Sequence, residues 1–431
     1  MLLFGIVLFV NSWEVTAQQS ARFLPVEELF RLGIENSIQL KAARIQEVIS
    51  DDQLKTAYIN RLPTIQVGAN AGMIGQPVIF QQGLSQPIHP ETPGWSQNYK
   101  VELTQPIYQG GRIQYSILKA DIQKQIAILN TANDQAGIKL VLLQQYMSLF
   151  SFYKQREVLD RNIEESERRL KDITRMRKEG VVTRNDEIRS ELQLTNDRLA
   201  YQEAENSIAL TSQQLDLYLG LDETLLIIPD TTLLYSAVGM QDYETYVRLA
   251  YENYPGMQIA RRDTRLAEND IKLVKANNLP SLSLHAGNTL ARPLSTTLAD
   301  MYNNNWNIGL SLSYNLSSLY QNKHRMHEVR QVVQLRQNAE EQLMQHIRID
   351  VRTAYTRHQE ALNRVEALKL SVKQAEENYR IVQNRYLNQL SILTDLLDAS
   401  SVRLNAELQL TVARTQTIYT YYELQRVCGS L

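Results

Sequence analysis

What the chain has little of narrows it first. One cysteine, Cys428, in 431 residues excludes an internal disulfide and any metal site built on clustered thiols. It stands far from the N-terminus, so no lipid-bearing first cysteine follows a cleaved leader. A small buried apolar residue is the natural reading of Cys428. Glycine and proline number only 17 and 11, and such sparse punctuation implies long helices rather than many short elements. A formal net charge of −2 gives no reason to expect nucleic acid or anionic lipid as the main partner. Past residue 17 no apolar run reaches 18 residues, so a mature chain that meets a membrane must do so as β-strands. There is also no phosphate loop, nucleophile turn, paired-cysteine motif or HExxH helix, which leaves an enzyme reading and a cofactor without support. His324 and His327 stand at i, i+3 without a third ligand, the pattern of a solvated face rather than a metal site.

The one apolar run is short. Residues 2–10 (LLFGIVLFV) lead to Val15-Thr16-Ala17, a small-residue cleavage pattern, so residues 1–17 read as a signal peptide. No Lys or Arg precedes the run, and a buried N-terminal segment is the competing reading.

What is present is a repeat. Leu62-Pro63 ends a charged helical stretch and opens an alternating one, and Leu279-Pro280 does the same 217 positions later. Leu32-Gly33-Ile34-Glu35-Asn36 recurs as Leu249-Ala250-Tyr251-Glu252-Asn253 at that offset. Beyond the alternating segments the offset becomes 209, relating Leu103 to Leu312, Asp186 to Asp395 and Gly220 to Gly429. The copies are residues 18–220 and 242–431, with 221–241 as a linker. Each reads helix, strand, strand, long helix, helix. Helices are expected over about 26–61, 112–178 and 184–219, then 242–277, 320–387 and 392–427. The turns near 178–185 and 387–394 join each long helix to the next. Val351, Tyr355, His358, Leu362 and Val365 continue to Tyr386 at spacings of three and four, apart from one gap of seven, a heptad seam in which His358 is a packing histidine. At 1.5 Å per residue each long helix would measure roughly 100 Å. No compact domain needs such a rod; it suits a coiled-coil scaffold or a protein that must cross a distance.

Four segments, about 64–74, 97–108, 281–290 and 304–316, alternate cleanly. Trp306, Ile308, Leu310, Leu312, Tyr314 and Leu316 oppose Asn305, Asn307, Gly309, Ser311, Ser313 and Asn315. Tyr99, Val101, Leu103 and Ile107 oppose Asn98, Lys100, Glu102 and Thr104. A soluble sheet with one wet face would alternate in the same way. Two features favour lipid. The helices spend their apolar stripe on their own seam, and Trp95, Tyr99, Trp306 and Tyr314 lie near strand ends, where an interfacial aromatic belt would sit. Four strands cannot close a barrel, and lipid does not tolerate an open edge. Two chains would give eight strands and a barrel filled by side chains, whereas three would give twelve and a lumen.

The turn Thr104-Gln105-Pro106-Ile107-Tyr108-Gln109-Gly110-Gly111-Arg112, set within this duplicated unit, resembles the strand-to-helix turn of the TolC-like outer-membrane efflux proteins. Proline is expected to end the strand there, and Gly110 and Gly111 to permit the sharp change into the helix. The second copy departs, with Asn315 at the proline's place and no glycine at Ser318-Leu319 beyond it. The resemblance implies a mainly α homotrimer: a 12-stranded β-barrel in the outer membrane of a Gram-negative bacterium, continued by an α-helical coiled-coil barrel in the periplasm. It implies a passive exit duct of a tripartite efflux or type I secretion system, with a periplasmic adaptor and an inner-membrane transporter as partners. Asp395 and Asp398 match the family's pore-constricting aspartates, while Ser391 as N-cap with helix-start acids is the plain alternative. Asp186 and Tyr386 match the family's tip latch, although Ser391 replaces the arginine that usually helps. The rival class is a soluble periplasmic coiled-coil scaffold without a pore.

Overall fold

Long runs with almost no Gly or Pro become helices of the expected length. The computed structural model describes residues 21–230, 239–293 and 299–431, so the expected signal peptide and part of the expected linker lie outside the described residues. In chain order the elements are β1 (Ala21–Leu24), α1 (Val26–Asn36), α2 (Ile38–Ile59), β2 (Thr64–Met73), β3 (Ile79–Gln82), β4 (Ser85–Ile88), β5 (Trp95–Gln109), α3 (Arg112–Lys178) and α4 (Arg184–Leu219). They continue with β6 (Leu226–Pro229), α5 (Tyr243–Asn253), α6 (Pro255–Ala276), β7 (Ser281–Arg292), β8 (Asn303–Ser313), α7 (Ser318–Leu387) and α8 (Leu393–Val427). The helix-strand-strand-long helix-helix order therefore appears twice.

Each opening helix, read as continuous from sequence, is broken in two. Tyr254 adopts φ −61° and ψ 121° because it precedes Pro255, which starts α6 at a position where its missing N–H costs nothing. In the first copy Ser37 takes nearly the same backbone, φ −59° and ψ 121°, without a proline. Its hydroxyl accepts a hydrogen bond from the Leu40 amide at 3.3 Å, so a polar cap does there what proline does in the other copy.

Contacts divide the chain into two compact units, and each draws on both repeats. The first gathers the chain up to Lys41 with Asp134–Tyr254 and Ile347–Leu431; the second joins Ala42–Asn133 to Pro255–His346. In the first unit, β1 and β6 pair in parallel, so the expected linker carries a strand. Beneath them Leu29, Leu142, Leu143, Leu149, Leu215 and Leu219 form a core around the fully buried Tyr146. Its hydroxyl donates to the Leu24 carbonyl and accepts from the Asp230 amide, both at 2.6 Å, which ties both strand ends to α3. His358 is buried and its Nδ1 lies 3.0 Å from the Thr420 hydroxyl, in keeping with a packing role. Cys428 is buried too, and burial pushes its thiol up to about 12.

The second unit holds a four-stranded antiparallel sheet in the order β2-β5-β7-β8. Each repeat supplies one hairpin, and β5 pairs with β7 to join them. A separate short hairpin, β3–β4, lies in the longer loop of the first copy.

Candidate functional site

The register of the sheet decides what its two faces are. One continuous row runs Ile65–Leu103–Ala286–Ile308 and another Val67–Val101–Asn288–Trp306, all side chains on one face. The next row, Gln66–Glu102–Gly287–Asn307, lies on the other. One face is therefore apolar across all four strands and the other polar. Nothing among the described residues covers the apolar face: Val67 is 79% exposed, Ile308 64% and Leu312 72%. The outer edges of β2 and β8 pair with no strand among the described residues. No described helix is long and apolar enough to cross a membrane.

The aromatic residues expected to form a belt sit on or next to these strands. Trp95 opens β5 opposite Met73, Tyr99 pairs with Ala69, Trp306 is the fourth residue of β8, and Tyr314 follows its last. All four are exposed. Trp306 lies level with Val101, well inside the hydrogen-bonded row, so the four do not mark a single end of the sheet.

At the strand-to-helix turn the structure corrects one expectation. Pro106 does not end β5, which continues to Gln109 through a bulge: Pro106 pairs with Ser283 and Tyr108 with Leu282, leaving Ile107 as the extra residue. Tyr108, not Ile107, takes the place on the apolar face. Gly110 and Gly111 then turn at φ 62° and 85°. A Cβ on Gly110 would also lie 2.6 Å from the Ala276 carbonyl oxygen, so glycine is needed twice over. In the second copy Asn315 replaces the glycines with hydrogen bonds: its Oδ1 accepts from the Ser317 amide and hydroxyl, and its carbonyl accepts from the Ser318 hydroxyl at 2.6 Å.

At the helix turns, the first unit gathers Ile173, Tyr379, Tyr386, Leu393, Leu396 and Ala399 into a small core. The two turns share a backbone design. Gly180 takes φ 78° and its counterpart Gln389 takes φ 61°, each closing the end of a long helix. Their caps differ. Thr183 and Asp186 form a full capping box on α4: the Asp186 amide donates to the Thr183 hydroxyl at 3.2 Å, and the Asp186 carboxylate accepts from the Thr183 amide at 2.9 Å. At the matching place before α8 stands Ile392, which makes no side-chain cap, so Ser391 is not the N-cap. Ser391 instead donates to the Asp395 carboxylate at 2.7 Å. Asp395 and Asp398 are both exposed, one turn apart at the start of α8.

The structure places Asp186 and Tyr386, the expected latch pair, in one region without a bond between them. Tyr386 is 7% exposed and its hydroxyl has no hydrogen-bond partner, while the Asp186 carboxylate is engaged by Thr183. Burial, reinforced by the charge of Asp186, pushes the Tyr386 phenol up. The bond that does link α4 to α8 here is one the sequence reading missed: Arg189 donates to the Thr394 hydroxyl at 2.8 Å. Glu187, also missed, is buried beneath the turn. Burial alone would raise its carboxyl, but hydrogen bonds from Thr174 and Arg184 and the charges of Arg177 and Arg184 hold it below the usual range. The 209-residue offset sets Arg189 against Asp398, so only the second copy presents two acids on this face.

The family model described as outer membrane efflux protein matches residues 29–221 and 246–430. The chain belongs to that family. Solved outer-membrane channels share the fold of this efflux protein. The VceC outer membrane protein of Vibrio cholerae superposes with a TM-score of 0.76 at 16% identity, covering 94% of this chain and 96% of that one. The open-state MtrE channel of Neisseria gonorrhoeae gives 0.72 at 18% identity, covering 94% and 89%. The OprN outer-membrane channel gives 0.76 at 17% identity, covering 94% and 90%. No curated protein matches the chain in sequence.

Proposed function

We propose that three copies of this outer membrane efflux protein close their four-stranded sheets into one 12-stranded barrel and form a passive exit duct for a tripartite efflux or type I secretion system. The observation that carries the reading is the sheet: one uncovered apolar face, one polar face and two unpaired edges in a single chain. Each strand is 10 to 15 residues long, enough to span a bilayer when tilted. A soluble scaffold would leave that apolar face in water. Energy and most substrate choice then belong to an inner-membrane transporter reached through a periplasmic adaptor. A cleft of about 410 Å³ lined by Arg169, Tyr379, Tyr386 and Arg403 beside the helix turns supports a partner surface there. In the trimer, Asp395 and Asp398 would place six carboxylates around the pore axis as a cation-holding constriction, and Asp186 and Tyr386 would meet as a latch in the closed state. Membrane fractionation tests the reading. The protein should stay with the outer membrane after salt and alkaline washes and leave it in detergent as a species of three chains. Release by salt, or a monomer in mild detergent, would overturn it.

A further inference from the structure

The polar face of the sheet is almost free of charge. It consists of Thr64, Gln66, Asn70, Ser96, Asn98, Thr104, Ser281, Ser283, Thr289 and their neighbours, with Asn303, Asn305, Asn307, Ser311 and Ser313 of β8 and four glycines among them. Apart from His285, whose Nδ1 lies 3.2 Å from the Thr104 hydroxyl, its only ionisable side chains are Lys100 and Glu102. These two belong to one strand, point to the same face and meet at 3.2 Å between Lys100 Nζ and Glu102 Oε2. The pair is built into the wall. Gly68 stands directly across from Lys100 on β2, and a Cβ there would come within 3.2 Å of the lysine Cγ and Cε. The lysine stem therefore lies across the gap that glycine leaves, which directs its ammonium along the strand toward Glu102. On the other side, Gly287 stands across from Glu102. An exposed ion pair of this kind adds little stability, so stability does not account for it.

We infer that Lys100 and Glu102 form a charge-cancelling pair that keeps the barrel lumen electrically neutral, so that this segment of the duct admits hydrophilic cargo of either charge. The inference rests on the proposed function, because it takes the polar face as the pore wall. In a threefold assembly either residue alone would present a ring of three like charges, and rings of that kind impose ion selectivity on a pore. The pair instead sets three cations beside three anions at the same level. Discrimination by charge is then left to the helical part of the duct.

Reversal potentials in planar bilayers under a KCl gradient at pH 8 test this. The variants are Lys100→Gln, Glu102→Gln and the exchange Lys100→Glu with Glu102→Lys. Each is compared with its parent, both in the natural chain and in one carrying Asp395→Asn and Asp398→Asn. Lys100→Gln should raise the K⁺ to Cl⁻ permeability ratio several-fold, Glu102→Gln should lower it several-fold, and the exchange should return it to the parental value. Channels whose ratio is the same in all three variants would overturn the inference while leaving the duct intact. An exchange variant that departs as far as the single changes would overturn it as well. Absence of conductance in the natural chain would instead refute the duct, and the inference with it.

Discussion

Replacing Ile308 by arginine places a charge at the middle of β8, sixth of its eleven residues, on the uncovered apolar face. Its hydrogen-bonded row is Ile65, Leu103 and Ala286, none of which offers a polar partner. An arginine facing lipid at the bilayer midplane costs about 2–4 kcal/mol. Three copies raise that to roughly 6–12 kcal/mol per assembly, comparable to the whole stability of a domain at about 5–15 kcal/mol. The adjacent Asn307→Arg carries the same charge and bulk on the polar row with Gln66, Glu102 and Gly287, where it meets water at little cost. The assay is the fraction of detergent-extracted protein that migrates as trimer without boiling. Ile308→Arg should abolish the trimer band and Asn307→Arg should leave most of it. Equal trimer yields would refute the assignment of the apolar face to lipid.

The caps of the helix turns make a second, local prediction: Thr183→Ala should cost about 1 kcal/mol, and Ile392→Thr, which completes a capping box with Asp395, should stabilise by a similar amount in denaturant melts. Asp216 is fully buried with both carboxylate oxygens unpartnered, and burial, aided by Asp222 and Glu223, pushes it up to about 6. An acid raised in the folded state binds protons that the unfolded chain has released, so stability should fall as pH rises from about 4 to 6 and stay low above. Asp216→Asn should remove that dependence and stabilise at pH 8 by roughly 1–2 kcal/mol, and an unchanged pH profile would contradict it. At the proposed constriction, Asp395→Ala with Asp398→Ala should weaken block by divalent cations in single-channel recordings. Tyr386→Phe should leave stability unchanged, since the hydroxyl has no partner, while raising open conductance if the latch forms in the closed trimer.

The parts of the fold that local pattern dictates were legible. Heptad spacing and sparse glycine placed α3 and α4 to within a residue of Arg112–Lys178 and Arg184–Leu219, and alternation placed both hairpins. What escaped depended on distant partners or on chemistry that periodicity does not carry. The β1–β6 pair joins four-residue strands about 200 positions apart, too short to show a period. The break at Ser37 rests on one hydroxyl, although Pro255 at the equivalent place in the second copy was a visible signal. The bulge at Ile107 follows from pairing across to Ser283 and Leu282, which no single strand reveals. Arg189 was overlooked because its partner Thr394 lies in the other repeat, whereas the Asp395 and Asp398 spacing is local and readable.

The most direct test of the account is electrical. Purified protein, extracted as a trimer and added to a planar bilayer, should insert and give discrete conductance steps, with divalent cations blocking from the side that carries the helix turns. A protein that binds lipid yet never conducts, natural or with both Asp395 and Asp398 replaced, would contradict the duct.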